Sequence, residues 1–172
     1  LPGIYQLSAL SEDERVAMDY IRSGEADIIL NIADSINLER NLYLTTQIME
    51  MKVPMLLLLN RADLAEKEKI SIDTLHLSES LGIPVLSCSA IKKNDIPAVK
   101  DAILSLASSP AVPSAMVEYP DEIEEFLEKW TVKLQDLASK TGINVRWLAI
   151  RLMEGDIWTT GQVLEAGALE ER

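Results

Sequence analysis

Three short apolar runs, separated by segments with helical periodicity, constrain the fold of this chain more than any other feature of the sequence. The runs occupy residues 27–34, 53–59 and 83–87, and each lies next to turn-forming residues. Runs of this kind are typical of strands that are buried on both faces of a parallel sheet. The spacing of apolar residues predicts helices over 12–23, 38–49, 72–81 and 94–107. The alternation predicts an α/β fold whose parallel strands are joined by right-handed crossovers.

The pattern changes after residue 107. Residues 108–120 are rich in proline and serine, which is typical of a linker. Helical periodicity then predicts one helix over 121–138, a second over 144–153 and a last, poorly anchored helix within 156–172. We therefore expect two domains, an α/β domain over residues 1–110 and a small all-α domain over residues 111–172.

Charge and composition exclude several classes of protein. The net charge is −12 without a basic stripe, which predicts that the chain does not bind nucleic acid. Cys88 and His76 are the single cysteine and the single histidine, so an internal disulfide, a cysteine-based zinc site and a histidine cluster are excluded. We expect no resident metal site. The longest apolar stretch, residues 53–59, is far shorter than the ~20 residues of a membrane-spanning helix.

The candidate site lies at the carboxyl ends of the second and third predicted strands, where parallel sheets bind their ligands. Asn60-Arg61-Ala62-Asp63 follows the second strand directly. An aspartate in this position can accept two hydrogen bonds from N1–H and the 2-amino group of guanine, a donor pair that adenine lacks. We expect Asn60 to tie neighbouring loops together, and the aliphatic stem of Arg61 to pack on the purine ring.

Two further signals support a nucleotide site. Ser89-Ala90 follows the third strand, 26 residues after Asp63, and can direct a backbone N–H at the 6-oxo group of guanine. Gly3, in the opening Leu1-Pro2-Gly3, would let its N–H approach a terminal phosphate closely. Structural alternatives remain open, because Asp63 could cap a helix and Ser89-Ala90 could be an ordinary loop. Asp34 is interpreted as part of a helix-initiating turn rather than as a catalytic carboxylate.

Together these segments resemble a known family. Residues 1–7 (LPGIYQL), 60–63 (NRAD) and 89–90 (SA) are similar to the third, fourth and fifth motifs of a small GTPase. Residues 37–44 (NLERNLYL) and 146–156 (RWLAIRLMEGD) are similar to stretches of the bacterial ferrous iron transport protein B family. The resemblance covers essentially the whole chain. It implies a parallel-sheet, small-GTPase-like (P-loop NTPase) domain that is N-terminally incomplete, followed by an all-α helical spacer domain.

The resemblance also implies a function. The chain would be the regulatory domain of a membrane ferrous iron transporter, at the cytoplasmic face of the bacterial inner membrane, with slow GTP hydrolysis coupled to Fe(II) uptake. Ile4 agrees with slow hydrolysis, because many GTPases place a water-orienting glutamine there. Expected partners are the transporter's membrane domain, small cytosolic iron-transport proteins and further copies of the chain as a homo-oligomer. GTP or GDP would contact Gly3, Asn60, Arg61, Asp63, Ser89 and Ala90.

The sequence departs from the family pattern at its start. It contains neither the glycine-rich loop that ends in Gly-Lys-Ser/Thr nor the switch I threonine. Mg²⁺ is therefore expected only with a phosphate loop upstream of Leu1, and no catalytic residue is assigned. Two alternatives stay open: a helical interaction or regulatory module, and a nucleotide-free α/β binding fragment without GTPase activity.

Overall fold

The structure, a computed structural model, describes Leu7 and residues 12–167. The chain divides into two compact units, Leu1–Met116 and Val117–Arg172. The first unit is α/β and the second is helical. The elements of the first unit follow the alternation of strands and helices that the sequence predicts. In chain order they are α1 (Glu12–Arg22), β1 (Ile29–Asp34), a 3-10 turn (Ser35–Asn37), α2 (Leu38–Glu50), β2 (Met55–Asn60), α3 (Ala62–Lys67), α4 (Thr74–Leu81), β3 (Val85–Ser87) and α5 (Ile96–Ser108).

The three strands form one parallel sheet in the order β1-β2-β3, which confirms the predicted fold class. The central strand is the most apolar, and its residues from Met55 to Leu59 are all buried. Leu58 pairs with Ile32 on one side and with Leu86 on the other. Leucine suits this strand because both of its faces are covered. Pro54 precedes β2, and its carbonyl accepts a hydrogen bond from Ile29 N–H at 2.8 Å.

The register brings polar residues together at one edge of the sheet. Asp34, the last residue of β1, pairs with Asn60, the last residue of β2. Leu59 pairs with Ser87, the last residue of β3. The loops that carry residues 60–63 and 88–95 therefore begin side by side at the carboxyl ends of neighbouring strands, where the sequence places the candidate site.

The helical unit contains α6 (Asp121–Lys133), α7 (Gln135–Thr141), α8 (Val145–Met153) and α9 (Ile157–Glu165). The single helix predicted over 121–138 is wrong, because Leu134 adopts ψ 2° and separates α6 from α7. The predicted poor anchoring of the last helix is also wrong. Asp156 caps α9 by accepting a hydrogen bond from Thr159 N–H, and Val163 is fully buried.

Two ionic groups lie inside the helical unit. Arg146 binds Glu124 with both terminal nitrogens, each at 2.7 Å. Arg151 and Asp156 form a second pair at 3.1 Å, and both of their side chains are nearly inaccessible to solvent. The largest fully buried apolar side chains of this unit are Leu127, Leu134, Trp147, Leu148 and Val163.

The predicted linker lacks regular structure over residues 110–120, and part of it lies against the first unit. Lys52 Nζ donates to the carbonyls of Pro113 and Ala115 at 2.7 and 2.9 Å. Ser114 N–H donates to the carbonyl of Gly82 at 3.2 Å. Within the described part of the chain, every helix is too short or too polar to cross a lipid bilayer.

Candidate functional site

The turn after β2 has an uncommon backbone conformation at Arg61. This residue adopts φ 67° and ψ 31°, in the left-handed region that residues with a Cβ seldom occupy. Its N–H donates to Asn60 Oδ1 at 2.8 Å. Its carbonyl accepts from Leu64 N–H and Ala65 N–H, which start α3. The conformation is therefore fixed from both sides, and it carries the chain from β2 into a helix within one residue.

Asn60 joins the loops that follow β2 and β3. Its Oδ1 atom accepts from Ala90 N–H at 3.0 Å as well as from Arg61 N–H. Its carbonyl accepts from the hydroxyl of Ser35, a buried residue in the turn after β1, at 2.7 Å. Asn60 thus contacts all three loops at the carboxyl edge of the sheet, which is the joining role that the sequence predicts for it.

Asp63 reaches the loop after β3 through its side chain. The hydroxyl of Ser89 donates to Asp63 Oδ1 at 2.6 Å, and Ser89 is itself buried. This hydrogen bond is the largest cause of a lowered pKa at Asp63, and the nearby cations Lys67 and Lys92 act in the same direction. Asp63 is therefore ionised at neutral pH and able to accept hydrogen bonds from a pair of N–H groups.

The backbone of the Ser89-Ala90 pair is also engaged. Ser89 N–H donates to Asp95 Oδ2 at 2.8 Å, and Ala90 N–H donates to Asn60. A purine oxygen at Ala90 would therefore share that N–H with Asn60. The structure thus brings together four of the predicted site residues, Asn60, Asp63, Ser89 and Ala90, in one hydrogen-bonded group.

Sequence reasoning missed the contacts of two carboxylates, one that holds this group and one that holds Arg61 beside it. Asp95 fixes the loop after β3 through Ser89 N–H, and no motif signals it. The predicted turn-forming role of Asp34 is confirmed, because Asp34 Oδ1 accepts from Ile36 N–H at 3.0 Å. Asp34 Oδ2 also accepts from Arg61 Nη1 at 2.7 Å. The parallel pairing of β1 with β2 is the signal that could have predicted this contact.

The remaining candidates are placed as follows. Gly3 and Ile4 lie outside the described residues. Cys88 is buried, and burial is the largest cause of its raised pKa, which leaves its thiol protonated and unreactive. Asn60 and Arg61 also line a cavity of about 660 Å³ that runs along β1. Among the described residues, no cluster of histidine, cysteine, aspartate and glutamate side chains is suited to hold a metal ion.

Two family models match the chain. One is described as "Ferrous iron transport protein B" and matches residues 1–103. The other is described as "FeoB cytosolic helical domain" and matches residues 119–172. The two matched segments fall in the α/β unit and in the helical unit respectively.

Curated relatives are similar over nearly all of this chain. It is 36% identical over 173 residues to the Fe(2+) transporter FeoB of Salmonella typhimurium, and the match covers 96% of this chain. It is 37% identical over 171 residues to the Fe(2+) transporter FeoB of Escherichia coli K12, with the same coverage. The chain spans 22% of the length of each of these relatives.

Solved structures of similar fold include the cytosolic domain of the T. maritima FeoB iron transporter. Its GMPPNP form has a TM-score of 0.91 and 32% identity, and the match covers 100% of this chain and 67% of that one. Its GDP form II has a TM-score of 0.90 and 33% identity with the same coverage. NFeoB from S. thermophilus, described as mGMPPNP-bound, has a TM-score of 0.81 and 35% identity, and the match covers 94% of this chain and 60% of that one.

Proposed function

Because this chain belongs to the ferrous iron transport protein B family, we propose that it is part of the guanine-nucleotide-binding regulatory domain of a ferrous iron transporter. The observation that carries the proposal is the hydrogen-bonded group of Asn60, Asp63, Ser89 and Ala90 at the carboxyl edge of the sheet. Solved relatives described as GDP and GMPPNP forms support it.

In the proposed complex, Asp63 reads the guanine base. Its ionised carboxylate accepts from N1–H and the 2-amino group, and Ala90 N–H donates to the 6-oxo group. Adenine has an acceptor at N1 and a C–H group at position 2, where guanine has N1–H and the 2-amino group. It therefore leaves the carboxylate without hydrogen-bond donors. Leaving a charged group unpaired is costly, which makes this contact the source of base specificity.

The two units have different proposed roles. Residues 1–110 are proposed to be the C-terminal portion of the nucleotide-binding domain, and residues 111–172 a helical spacer with a regulatory role. Gly3 is proposed to contact a terminal phosphate. The sequence contains no Gly-Lys-Ser/Thr loop, and Mg²⁺ chemistry is therefore assigned to no residue of this chain.

The proposed activity of the whole transporter is slow GTP hydrolysis coupled to Fe(II) uptake. Its proposed place is the cytoplasmic face of the bacterial inner membrane, where the membrane domain is the chain's main partner. Small cytosolic iron-transport proteins and further copies of the chain are additional proposed partners. The matched transporters of Salmonella typhimurium and Escherichia coli support this assignment by their names.

The test is a titration of the 172-residue chain with GDP, ADP and XDP. Binding is monitored through the amide NMR signals of residues 60–63 and 88–95. We expect the chain to prefer GDP over both competitors. In Asp63→Asn, the amide offers a donor that suits the 2-oxo group of xanthine, so XDP should become the preferred nucleotide. Losing two charge-assisted hydrogen bonds should weaken GDP binding by about 100-fold.

The matched control is Asp101→Asn, which removes an exposed carboxylate from α5 and should leave the order of preference unchanged. If Asp63→Asn still preferred GDP over XDP, the base-reading role of Asp63 would be wrong. If GDP bound to the unmodified chain no better than ADP, guanine recognition would be wrong and the alternative of an α/β fragment without a nucleotide site would be favoured.

We also propose that the helical unit regulates nucleotide release. The match of residues 119–172 to a helical domain found within the same family supports this role. Deleting residues 117–172 leaves the linker contacts of Lys52 intact and should change the rate of GDP release. An unchanged rate, with the unfolding temperature of the α/β unit preserved, would contradict the proposal.

A further inference from the structure

Two hydrogen bonds connect the end of β1 to the turn after β2. The hydroxyl of Ser35 donates to the carbonyl of Asn60, and Arg61 Nη1 donates to Asp34 Oδ2. The first bond fixes the backbone of the turn. The second fixes the far end of a side chain, and this difference indicates that the two bonds have separate roles.

Asp34 is a well-held anchor. Its Oδ1 atom accepts from Ile36 N–H, and its Oδ2 atom accepts from Asn37 Nδ2 at 3.0 Å in addition to Arg61. The side chain is 23% exposed, whereas that of Arg61 is 47% exposed. A partly buried carboxylate with three donors is a rigid partner, and it restricts a long side chain that would otherwise sample many rotamers.

Both ends of Arg61 are therefore fixed. Its backbone is held in the left-handed region by Asn60 and α3, and its guanidinium is held at the end of β1 by Asp34. The three methylene groups between these points cross from the carboxyl end of β2 to that of β1. They present an apolar surface beside the group of residues that is proposed to read guanine.

We infer that Asp34 is a positioning residue of this site, which holds Arg61 so that its aliphatic stem lies against the face of a bound purine ring. The inference rests on the proposed function. It separates two kinds of recognition, because Asp63 reads the edge of the base whereas the Asp34-Arg61 pair supports its face. Contact with the face does not depend on the exocyclic groups, so the pair should favour guanine and xanthine equally.

The decisive experiment measures nucleotide affinity in two backgrounds. Asp34→Asn keeps an oxygen that can cap Ile36 N–H but removes the charge that holds Arg61. It should weaken GDP binding to the otherwise unmodified chain by about fivefold. In the Asp63→Asn background it should weaken XDP binding by the same factor. The ratio of GDP to XDP affinity should not change in either background.

A double-mutant cycle tests whether Asp34 acts through Arg61. Arg61→Met keeps an unbranched apolar stem but cannot bind a carboxylate. If the inference is right, adding Asp34→Asn to Arg61→Met has no further effect on GDP affinity. The control is Asp73→Asn. Asp73 is the N-cap of α4, where its carboxylate accepts from His76 N–H, and the substitution should leave GDP affinity unaltered.

The outcomes separate this inference from the proposed function. If no variant binds GDP or XDP, the proposed function itself fails. If GDP binds but Asp34→Asn binds it with unchanged affinity, the positioning role of Asp34 is wrong while the proposed function stands. Equal additional losses from Asp34→Asn in the Arg61 and Arg61→Met chains would also overturn the inference, because they would show that Asp34 acts independently.

Discussion

The hydroxyl of Ser89 donates a 2.6 Å hydrogen bond to Asp63 Oδ1 and so joins the loop after β3 to the turn after β2. Ser89 is only 1% exposed, and its own N–H is held by Asp95. The donor is therefore fixed before any ligand arrives. This preorganisation keeps Asp63 ionised and oriented, which a carboxylate that reads a base requires.

The first prediction concerns the charge of Asp63. Ser89→Ala removes the hydrogen bond that contributes most to the lowered pKa of Asp63, so that pKa should rise toward its ordinary value. The proposed recognition of guanine needs the ionised carboxylate. As the pH falls, GDP binding should therefore be lost at a higher pH in Ser89→Ala than in the unmodified chain. A ¹³C-detected NMR titration of the Asp63 carboxyl group measures the pKa directly.

The control for this prediction is Ser87→Ala, which removes an exposed hydroxyl two residues earlier at the end of β3. It should leave the pKa of Asp63 unchanged. If the pKa of Asp63 were also unchanged in Ser89→Ala, the hydrogen bond would have no electrostatic role and the proposed preorganisation would be wrong.

The sequence contains enough information to predict the sheet and the general place of the site. The leucines of β2 require burial on both faces, and this indicates a central parallel strand. Once the strands are parallel, the loops that hold Asp63 and Ser89 must begin at the same edge. The proximity of those two side chains is thus a consequence of topology. The length of their hydrogen bond and the additional contact of Ser89 with Asp95 are not.

The sequence does not reveal features that depend on single contacts. The left-handed conformation of Arg61 is stabilised by Asn60 and by the start of α3, a helix of six residues that is too short to show periodicity. The roles of Asp34 and Asp95 depend on strand register and loop geometry, which local spacing does not encode. The split at Leu134 likewise interrupts an apolar pattern that remains continuous in the sequence.

The second prediction concerns the pH dependence of the helical unit. The bidentate hydrogen bond from Arg146, joined by the N–H of Tyr119, lowers the pKa of Glu124 from its ordinary 4.5 to about 2. A carboxyl group with a depressed pKa stabilises the folded state above its unfolded pKa and loses that effect as the pH falls through its folded pKa. The contribution of Glu124 should therefore be complete above pH 4.5 and decline between pH 4.5 and about 2.

Comparison with Glu124→Gln isolates this contribution. The difference in unfolding free energy between the unmodified chain and Glu124→Gln should be constant above pH 4.5 and shrink below it. All three tryptophans, Trp130, Trp147 and Trp158, lie in the helical unit, so urea unfolding followed by tryptophan fluorescence reports on this unit. Glu122→Gln, an exposed neighbour on α6, is the matched control. A difference that did not vary with pH would show that Glu124 stabilises the unit through packing rather than charge.

The third prediction tests how the linker packs against the α/β unit. Gly82 adopts φ +63°, and a Cβ built there would overlap Ser114 Oγ and stand 2.7 Å from Ala115 N. Gly82→Ala should therefore combine left-handed strain with displacement of the linker backbone, and we expect a loss of about 2–3 kcal/mol in unfolding free energy.

Gly24→Ala separates the two contributions to this loss. Gly24 adopts φ +71°, and a Cβ there meets no described atom within 4 Å, so the substitution carries left-handed strain alone and should cost about 1 kcal/mol. Urea unfolding followed by the amide NMR signals of β2 measures both variants in the same unit. The excess cost of Gly82→Ala over Gly24→Ala is then the cost of displacing the linker at Ser114 and Ala115. Equal costs would mean that the overlap with Ser114 and Ala115 is relieved without loss of stability, and the expected penalty at Gly82 would be wrong.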